Sequence, residues 1–345
     1  MDAASIGKRV PRLRALVESR NDLAAQNLRL EAQCGELAAD HLHLTTERDE
    51  LAASCAELQA QNNALTGSLA RYGLWPPGHF YSPHPDLDEV QRDQARLFDR
   101  RIDSVLGLDL HVKRQLKLLD VLGPLSRSQP FSDQPDGRHR YYYGNTWFGP
   151  GDAIVYHCLL RHLRPERVIE VGIGFSSALL LDTNDEFLDQ SCSATFIDPY
   201  PERMLELLGA DDDSVNVVVE PVQNVGQELF STLKSGDILF IDSSHVTKAG
   251  SDVNYLYFEI LPSLPSGVYV HIHDIFWPFE YTKEWVLEGR AWNEAYLVHA
   301  YLIGNQNMEV VWFNDYLGQQ HRERVSSSLA MWDQNSGGSL WLRAK

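Results

Sequence analysis

Arg167-Val-Ile-Glu-Val-Gly-Ile-Gly-Phe-Ser-Ser177 is the stretch of sequence that decides the fold. Val168–Val171 is rich in β-branched residues, which favours a buried strand, and it breaks at once into a Gly-x-Gly turn. A helix is predicted to start directly after this turn, over Ser176–Thr183. Two glycines let the backbone approach a ligand closely, and a helix N-terminus favours hydrogen-bond acceptors or negative charge. We therefore predict a nucleotide-type site at the carboxyl end of this strand.

Helical segments alternate with short apolar strands from Asp152 onward. The alternation predicts an α/β fold with a mostly parallel sheet and helices on both faces. The last two strands are expected to form an antiparallel hairpin at the sheet edge. The seven predicted strands are Arg167–Val171, Ala194–Ile197, Val215–Val219, Asp237–Ile241, Gly267–Ile272, Glu309–Phe313 and Ser339–Arg343. The predicted helices are Asp152–His162, Ser176–Thr183, Pro201–Leu208, Val225–Leu233, Asp252–Leu261 and Trp285–Leu302.

An acidic residue, Asp198, ends the second predicted strand. Its separation along the sequence from the glycine turn is the one at which a carboxylate can accept hydrogen bonds from both hydroxyls of a ribose. A dinucleotide fingerprint would need Gly or Ala where Ser177 stands, and Glu170 would sit poorly beside a pyrophosphate. A carboxylate in that place suits a cationic ligand. An oxidoreductase that uses a nicotinamide cofactor remains an alternative interpretation.

The N-terminal part of the chain has a different pattern, with leucine at every seventh position. This register predicts a coiled coil with leucine at position d. The leucines are Leu16, Leu23, Leu30, Leu37, Leu44, Leu51, Leu58 and Leu65.

The a positions of this heptad register are mostly polar, and they include Asn27 and Asn62. Asparagine at a favours a parallel pair, so self-association as a parallel dimer is our first prediction. Cys34 and Cys55 also occupy a positions and would face their own copies in such a dimer. The alternative is one long helix folded back on its own globular body, against which the narrow apolar stripe argues.

The composition limits the partners of the chain, whose 345 residues carry a formal net charge of −18. Residues 1–70 contribute −3, from seven Lys or Arg and ten Asp or Glu, and the remainder contributes −15. A surface that acidic repels phosphate backbones and anionic lipid, so we expect neither nucleic acid nor a membrane as partner. The sequence has no apolar run of transmembrane length, no secretory signal and no zinc or CxxC spacing. We expect a cytoplasmic protein with reduced thiols.

Four regions follow from these patterns. Residues 1–70 are the predicted coiled coil, 71–85 a Pro-rich linker, 86–140 a helical prelude with helices over 86–102 and 111–122, and 141–345 the α/β domain. The domain opens with the aromatic segment Tyr141–Pro150. We interpret that segment either as core packing or as a lid over a ligand pocket.

Three motifs resemble those of the class I S-adenosylmethionine-dependent methyltransferases: Glu170-Val-Gly172-Ile-Gly174, Phe196-Ile-Asp198-Pro and Asp237-Ile-Leu-Phe-Ile-Asp242. The first motif of that class is acid-x-Gly-x-Gly. The strings VIEVGIGFSSALLLD, IDSSHV and HIHDIF look most like the small-molecule and sugar O-methyltransferases of the macrocin type. The resemblance covers roughly residues 140 to 345 and implies a Rossmann-like domain.

The resemblance also implies S-adenosylmethionine as cofactor. The glycine turn and its acid would surround the methionine moiety, and the acid after the second strand would bind the ribose. The segment after the third strand would border the adenine, where the class usually has an acid and this chain has amides. The implied cofactor-binding residues are Glu170, Gly172, Gly174, Ser176, Asp198, Gln223 and Asp242.

Acids and imidazoles follow strands four and five, in Asp242-Ser-Ser-His245 and His271-Ile-His273-Asp274. Both strand ends open onto the same crevice as the glycine turn, so these groups are expected to converge. Methyl transfer to a hydroxyl needs a base that takes the proton or a metal ion that lowers the pKa of the hydroxyl. His245 and His273 are therefore candidate catalytic residues, and His271 is expected to be structural.

A metal site is implied by catechol-type relatives, which hold magnesium with acids at these two strand ends. Asp242 and Asp274 match the two acids, but His273 precedes the second acid and the Asn found in those relatives does not follow it. The predicted metal ligands are Asp242, His273 and Asp274, with Mg²⁺ as first choice and a softer ion as alternative.

The sequence thus predicts an S-adenosylmethionine-dependent O-methyltransferase that acts on a hydroxyl of a small molecule or sugar, with metal assistance. Transfer to nitrogen or carbon stays open. A non-catalytic coiled-coil scaffold with a ligand-binding head is a second alternative, beside the oxidoreductase. The aromatic loop Ile275–Tyr281 follows Asp274 and would lie at the mouth of the pocket. It is interpreted either as packing on the body of the domain or as stacking on a ligand.

Overall fold

The computed structural model describes residues 3–72, 75–208 and 215–345. The chain divides into two compact units, Met1–Pro76 and Pro77–Lys345. The division falls inside the predicted linker, 71–85. None of the described helices combines the length and apolar character that crossing a membrane requires.

The first unit contains one long helix, α1, over Ala3–Tyr72. The eight heptad leucines all lie at its surface, with exposed fractions from 56% at Leu30 to 68% at Leu16 and Leu37. The predicted long helix is therefore found. Its pairing with a second copy stays a prediction.

The second unit is built on a seven-stranded sheet, as predicted. The strand order is β3-β2-β1-β4-β5-β7-β6, in which β1 to β5 run parallel and β6 and β7 are antiparallel. In the centre, Val171 lies opposite both Ile197 and Ile241, so three strand ends are level with one another. The strands are β1 Arg167–Val171, β2 Ser193–Ile197, β3 Asn216–Val218, β4 Ile238–Ile241, β5 Tyr269–Ile272, β6 Met308–Phe313 and β7 Leu340–Ala344.

Helices and short helical turns connect these strands. Turns of 3₁₀-helix cover Val222–Asn224, Leu261–Ser263 and Trp332–Gln334, and a π-helical turn covers Leu256–Ile260. The helices after α1 are α2 Leu87–Arg92, α3 Gln94–Leu97, α4 Val112–Ser126, α5 Pro150–Leu163, α6 Phe175–Phe187, α7 Glu202–Leu208, α8 Gln227–Phe230, α9 Asp252–Tyr255, α10 Lys283–Leu287, α11 Glu294–Leu302, α12 Asn314–Gln320 and α13 Arg322–Ser328.

Four predicted helices and one connection differ from the structure. The predicted helix Asp252–Leu261 is α9 followed by a π-helical turn. The predicted helix Trp285–Leu302 is two helices, α10 and α11, because Gly289 takes a backbone φ of +86° that ends the first. The prelude helix over 86–102 is only the short pair α2 and α3, and Val225–Leu233 is reduced to α8 after a 3₁₀ turn. The antiparallel pairing of β6 and β7 is confirmed, but α12 and α13 connect them in place of a tight hairpin.

The core lies on both faces of the sheet. All four residues of β4 are fully buried, as expected of a central parallel strand covered on both sides. In the aromatic segment, Tyr141, Tyr143 and Phe148 are buried, whereas Trp147 is 62% exposed. The structure therefore supports the packing interpretation for most of this segment.

A buried carboxylate ties α5 to the last two strands. Asp152, 4% exposed, accepts hydrogen bonds at Oδ1 from the Asn314 side chain (2.9 Å), from the Ser339 backbone N–H (2.9 Å) and from the Ser339 hydroxyl (2.6 Å). Its other oxygen accepts from the Gly338 N–H at 3.2 Å. The Gly338 carbonyl in turn accepts from Ile275 N at 2.8 Å, so this carboxylate positions the loop beside the end of β5.

Replacing Asp152 tests this connection. We expect Asp152→Ala to lower the free energy of unfolding by about 3–4 kcal/mol, because several buried donors lose a charged acceptor. Urea unfolding measures the change. Asp120→Ala is the control, since Asp120 forms an exposed ion pair with Arg324 and should cost about 0–1 kcal/mol. Equal losses in the two variants would contradict the role given to Asp152.

Candidate active site

The glycine turn packs directly against the end of β4. Gly172 has a backbone φ of +84°, and a Cβ there would lie 2.2 Å from the Asp242 carbonyl oxygen. Only glycine allows this approach without displacement of the backbone. Asp198, at the end of β2, accepts from Ile173 N at 3.0 Å and from Tyr200 N at 2.7 Å. The turn is thereby held between β2 and β4.

A cavity of about 500 Å³ opens at the carboxyl ends of β1, β2 and β4. It brings together four of the predicted cofactor-binding residues: Gly172, Asp198, Gln223 and Asp242. The polar side chains of Ser244, Lys248 and Asp252 also line the cavity, and these were not predicted. Their position in the loop after β4 could have indicated this, because the loops at the carboxyl ends of the strands border the ligand crevice in an open α/β sheet.

The acid of the first motif lies deeper than this cavity. Glu170 is fully buried, and its Oε1 accepts from the hydroxyls of Ser176 (2.5 Å) and Ser177 (2.8 Å). Burial raises the pKa of Glu170 to about 8, although the two serine hydroxyls act in the opposite direction. Glu170, Gly174 and Ser176 are not among the cavity-lining residues, so their contact with the methionine moiety stays a prediction.

The ends of β4 and β5 converge on one imidazole. His245 is 5% exposed, and its backbone takes a left-handed φ of +59°. Its Nε2 lies 3.4 Å from Asp242 Oδ1 and 3.7 Å from Asp274 Oδ2. The structure thus brings together His245, Asp242 and Asp274 as a cluster. Asp242 also lines the cavity, so the cluster adjoins it.

The other ring nitrogen of His245 contacts a carboxylate that the sequence analysis missed. Glu294 Oε2 lies 2.9 Å from His245 Nδ1 and accepts from the Ser243 hydroxyl at 2.8 Å. Glu294 has no exposed surface. Glu294 lies in the middle of the single helix that was predicted over Trp285–Leu302. Gly289 could have indicated a break in that helix and so placed Glu294 in the first turn of a new one.

The surrounding carboxylates control the charge of the imidazoles. Burial alone lowers the pKa of His245, but hydrogen bonds to Asp242 and Glu294 outweigh it and raise the pKa well above its usual value. The same competition raises the pKa of His273, where burial is outweighed by Asp274 and more distant carboxylates. Burial raises the pKa of Asp274, against the opposing effect of the two imidazoles. Such perturbed groups cluster at functional sites.

The two histidines of β5 occupy different surroundings. His273 Nε2 lies 3.5 Å from Asp274 Oδ1, and its ring packs against Phe148 with centroids 5.4 Å apart. His271 is fully buried, and its Nε2 lies 2.7 Å from the Ser339 hydroxyl. Burial lowers the pKa of His271 well below the usual value, which is consistent with the structural role expected for it.

The metal-site prediction rests on Asp242, His273 and Asp274. Among the residues that the structure describes, no group of three or more His, Cys, Asp or Glu side chains has an arrangement that could hold a metal ion. Two carboxylates, those of Asp242 and Asp274, do lie within 4 Å of one point, the Nε2 of His245. Their oxygens are the donors that a hard divalent ion prefers. The metal site stays a prediction.

Aromatic side chains cover one side of the cluster. Trp292 lies with its ring centroid 4.4 Å from that of His245 and packs edge-on against Trp285 at 5.1 Å. The Arg290 guanidinium lies over both indoles, 4.4 Å from the centroid of Trp285 and 5.0 Å from that of Trp292. In the loop Ile275–Tyr281, by contrast, most of the aromatic side chains are buried in the body. The packing interpretation is therefore the better one for that loop.

Two sequence comparisons with known proteins match this chain. Residues 169–275 match a family model described as a methyltransferase domain. The chain is also 35% identical, over 168 residues, to an uncharacterized protein of Archaeoglobus fulgidus. That match covers 48% of this chain and 76% of the archaeal protein.

Similar solved structures include two methyltransferases. The S-adenosylhomocysteine-bound PaMTH1 of Podospora anserina is 14% identical with a TM-score of 0.38, and the match covers 70% of this chain and 99% of that chain. The O-methyltransferase TomG of Streptomyces achromogenes, solved with S-adenosylmethionine, is 12% identical with a TM-score of 0.35, and the match covers 75% and 96%. The bound ligands are properties of those two proteins. By its likeness to the archaeal protein this chain belongs to the same family, and its residues 169–275 match the model of a methyltransferase domain.

Proposed function

We propose that the protein is an S-adenosylmethionine-dependent O-methyltransferase that acts on a hydroxyl of a small molecule or sugar. One observation carries the proposal: Asp242 lines the 500 Å³ cavity and also lies 3.4 Å from His245 Nε2. A methyl donor held in the cavity would therefore end beside a proton acceptor. Methyl transfer to a hydroxyl needs these two features side by side.

In the proposed reaction, the oxygen of the acceptor hydroxyl attacks the sulfonium methyl group. A carbon–oxygen bond forms, and the carbon–sulfur bond breaks with its electron pair leaving on sulfur. His245 Nε2 takes the hydroxyl proton, so the products are the methyl ether, S-adenosylhomocysteine and a protonated imidazole. Only the neutral imidazole can do this. The carboxylates of Asp242 and Asp274 stabilise the imidazolium that forms.

A divalent ion, Mg²⁺ as first choice, is the metal-assisted form of this proposal. Asp242 and Asp274 would hold it, with His273 as the third predicted ligand. When bound, the ion would lower the pKa of the acceptor hydroxyl. If the metal ion activates the hydroxyl, a chelator should abolish turnover, whereas a mechanism with His245 as the only base should be insensitive to chelators.

The class of acceptor is supported by the surface beside His245. Trp292 and Trp285 are half-buried there, and Arg290 lies on their indole faces. The exposed parts of the two indoles, together with the Arg290 guanidinium, can contact the ring of a small molecule or sugar, whose hydroxyls can then reach the base. The similarity of the motifs to the macrocin-type branch supports the same class.

We further propose that α1 associates with a second copy of itself as a parallel dimer. Its eight heptad leucines are more than half exposed, and burying them against a partner would gain about 25 cal/mol per Å². The polar a positions, with Asn27 and Asn62, favour two parallel helices in register.

All four cysteines are free thiols, which supports a cytoplasmic location.

Cofactor binding is tested by calorimetry. We expect the wild-type chain to bind S-adenosylmethionine and S-adenosylhomocysteine, and Asp198→Ala to weaken both about 10- to 100-fold, because one or two charge-assisted hydrogen bonds are lost. Asp189→Ala is the control, since Asp189 is 91% exposed and pairs with Arg164. Binding of NADH without binding of either adenosyl ligand would favour the oxidoreductase.

The proton acceptor is tested by turnover with a panel of hydroxylated acceptors. We expect His245→Ala to lower kcat about 10²- to 10⁴-fold while adenosyl-ligand binding remains. For the wild type, kcat should rise with pH toward the raised pKa of His245, since the protonated imidazole cannot accept a proton. A chelator that abolishes turnover, reproduced by Asp242→Asn and Asp274→Asn, would identify the metal-assisted form. Full activity of His245→Ala together with insensitivity to chelators would exclude both roles.

The coiled coil is tested by oxidation of single-cysteine variants. In a parallel, in-register dimer, Cys34 meets Cys34 of its partner and Cys55 meets Cys55, within disulfide distance. We therefore expect covalent dimers from Cys34→Ser and from Cys55→Ser, and none from the double variant, because Cys158 and Cys192 are buried. Crosslinking that needs both cysteines would indicate antiparallel pairing. Sedimentation of a chain that starts at Tyr81 should show loss of association, and an unchanged mass would contradict the proposal.

A further inference from the structure

Glu294 is a carboxylate with no contact with solvent, next to the proposed base. Its exposed fraction is 0%, and its Oε2 accepts from the Ser243 hydroxyl at 2.8 Å and lies 2.9 Å from His245 Nδ1. Its Oε1 is buried, and the carboxylate interacts with the Tyr257 hydroxyl, whose pKa is raised by burial and by Glu294. A carboxylate without contact with solvent costs stability unless its oxygens are paired.

The backbone around Glu294 fixes the position of the imidazole as well. The backbone N–H groups of Asn293 and Glu294 both donate to the His245 carbonyl, at 3.0 and 3.1 Å. The Asn293 side chain accepts from Thr247 N at 2.6 Å. His245 itself stands in the left-handed region, with φ +59°. These contacts bind the loop after β4 to the first turn of α11, and they hold a conformation that non-glycine residues rarely adopt.

Glu294 Oε2 lies 2.9 Å from His245 Nδ1, whereas the nearest carboxylate oxygen on the other side, Asp242 Oδ1, lies 3.4 Å from Nε2, so the geometry favours the proton on Nδ1. In the neutral ring, Nε2 is then the nitrogen with the free electron pair. That nitrogen faces Asp242 and Asp274. We propose that Glu294 is a positioning residue that holds His245 in the Nδ1–H form, with Nε2 turned toward the acceptor. The inference rests on the proposed function, because it assigns the electron pair that takes the proton.

Glu294→Gln is the sharpest variant. Glutamine keeps the size of the side chain, but its amide can donate to Nδ1, which allows the wrong tautomer. We expect kcat to fall about 10²-fold or more, while the Kd of S-adenosylmethionine and the KM of the acceptor stay within about twofold. Glu294→Asp keeps the carboxylate and should recover part of the rate. Glu284→Gln, an exposed carboxylate of α10, is the matched control and should leave the rate unchanged.

Nitrogen-15 NMR of histidine-labelled protein gives a readout that a merely structural role would not move. At alkaline pH, where the imidazole is neutral, we expect the His245 signal to show the Nδ1–H tautomer in the wild type and a mixture in Glu294→Gln. The His245→Ala spectrum assigns the signal. An Nε2–H tautomer in the wild type, or an active Glu294→Gln with unchanged kcat, would overturn the inference.

The two parts of the experiment separate this inference from the function on which it rests. If the wild type binds no adenosyl ligand, the proposed function fails, whereas the tautomer measurement still decides whether Glu294 orients His245. If Glu294→Gln does not fold, as judged by circular dichroism, the wild-type tautomer and the rate of Glu294→Asp decide the question. A rate for Glu294→Asp no higher than that of His245→Ala, with normal cofactor binding, would contradict the proposed positioning.

Discussion

The close approach of the Gly172 turn to the end of β4 is the constraint on which the site depends. Asp242 N donates to the Val171 carbonyl at 2.8 Å, and the Asp242 carbonyl stands where a Cβ of residue 172 would be. This contact places the cavity of the first strand and the acid that follows the fourth strand side by side. Because Asp242 belongs to both, a ligand in the cavity and the imidazole of His245 become neighbours. A bulkier residue at 172 would separate the two halves of the site.

The second feature of the site is a concentration of carboxylates around one imidazole. Asp242 at the end of β4, Asp274 at the end of β5 and Glu294 at the start of α11 surround His245. Glu294 is fully buried, and its pairing with His245 and Ser243 offsets part of the cost of removing a carboxylate from water. The arrangement stabilises a protonated imidazole, which is the product of the proposed proton transfer. The fold thus accepts local instability where the chemistry needs it.

The fold was largely readable from the sequence, and the site only in part. The strands were predicted because most of them are short apolar runs, the clearest being β4, Ile238–Ile241. The break between α10 and α11 was missed because the apolar residues on either side keep a helix-like spacing across Gly289. Glu294 was missed with it, since a carboxylate inside a predicted helix looks like a solvated side chain. Tertiary contacts buried it against His245.

The sequence by itself determined the strands, the glycine turn and the acids and imidazoles that end β4 and β5, because hydrophobic periodicity and turn chemistry are local properties. It also determined that Ala3–Tyr72 is one helix with a leucine stripe. Only the tertiary structure decided which ring nitrogen of His245 faces which carboxylate, and that Glu170 lies behind the cavity. These depend on contacts between residues far apart in the sequence, such as the 2.9 Å between His245 Nδ1 and Glu294 Oε2. No local pattern in the sequence encodes such distances.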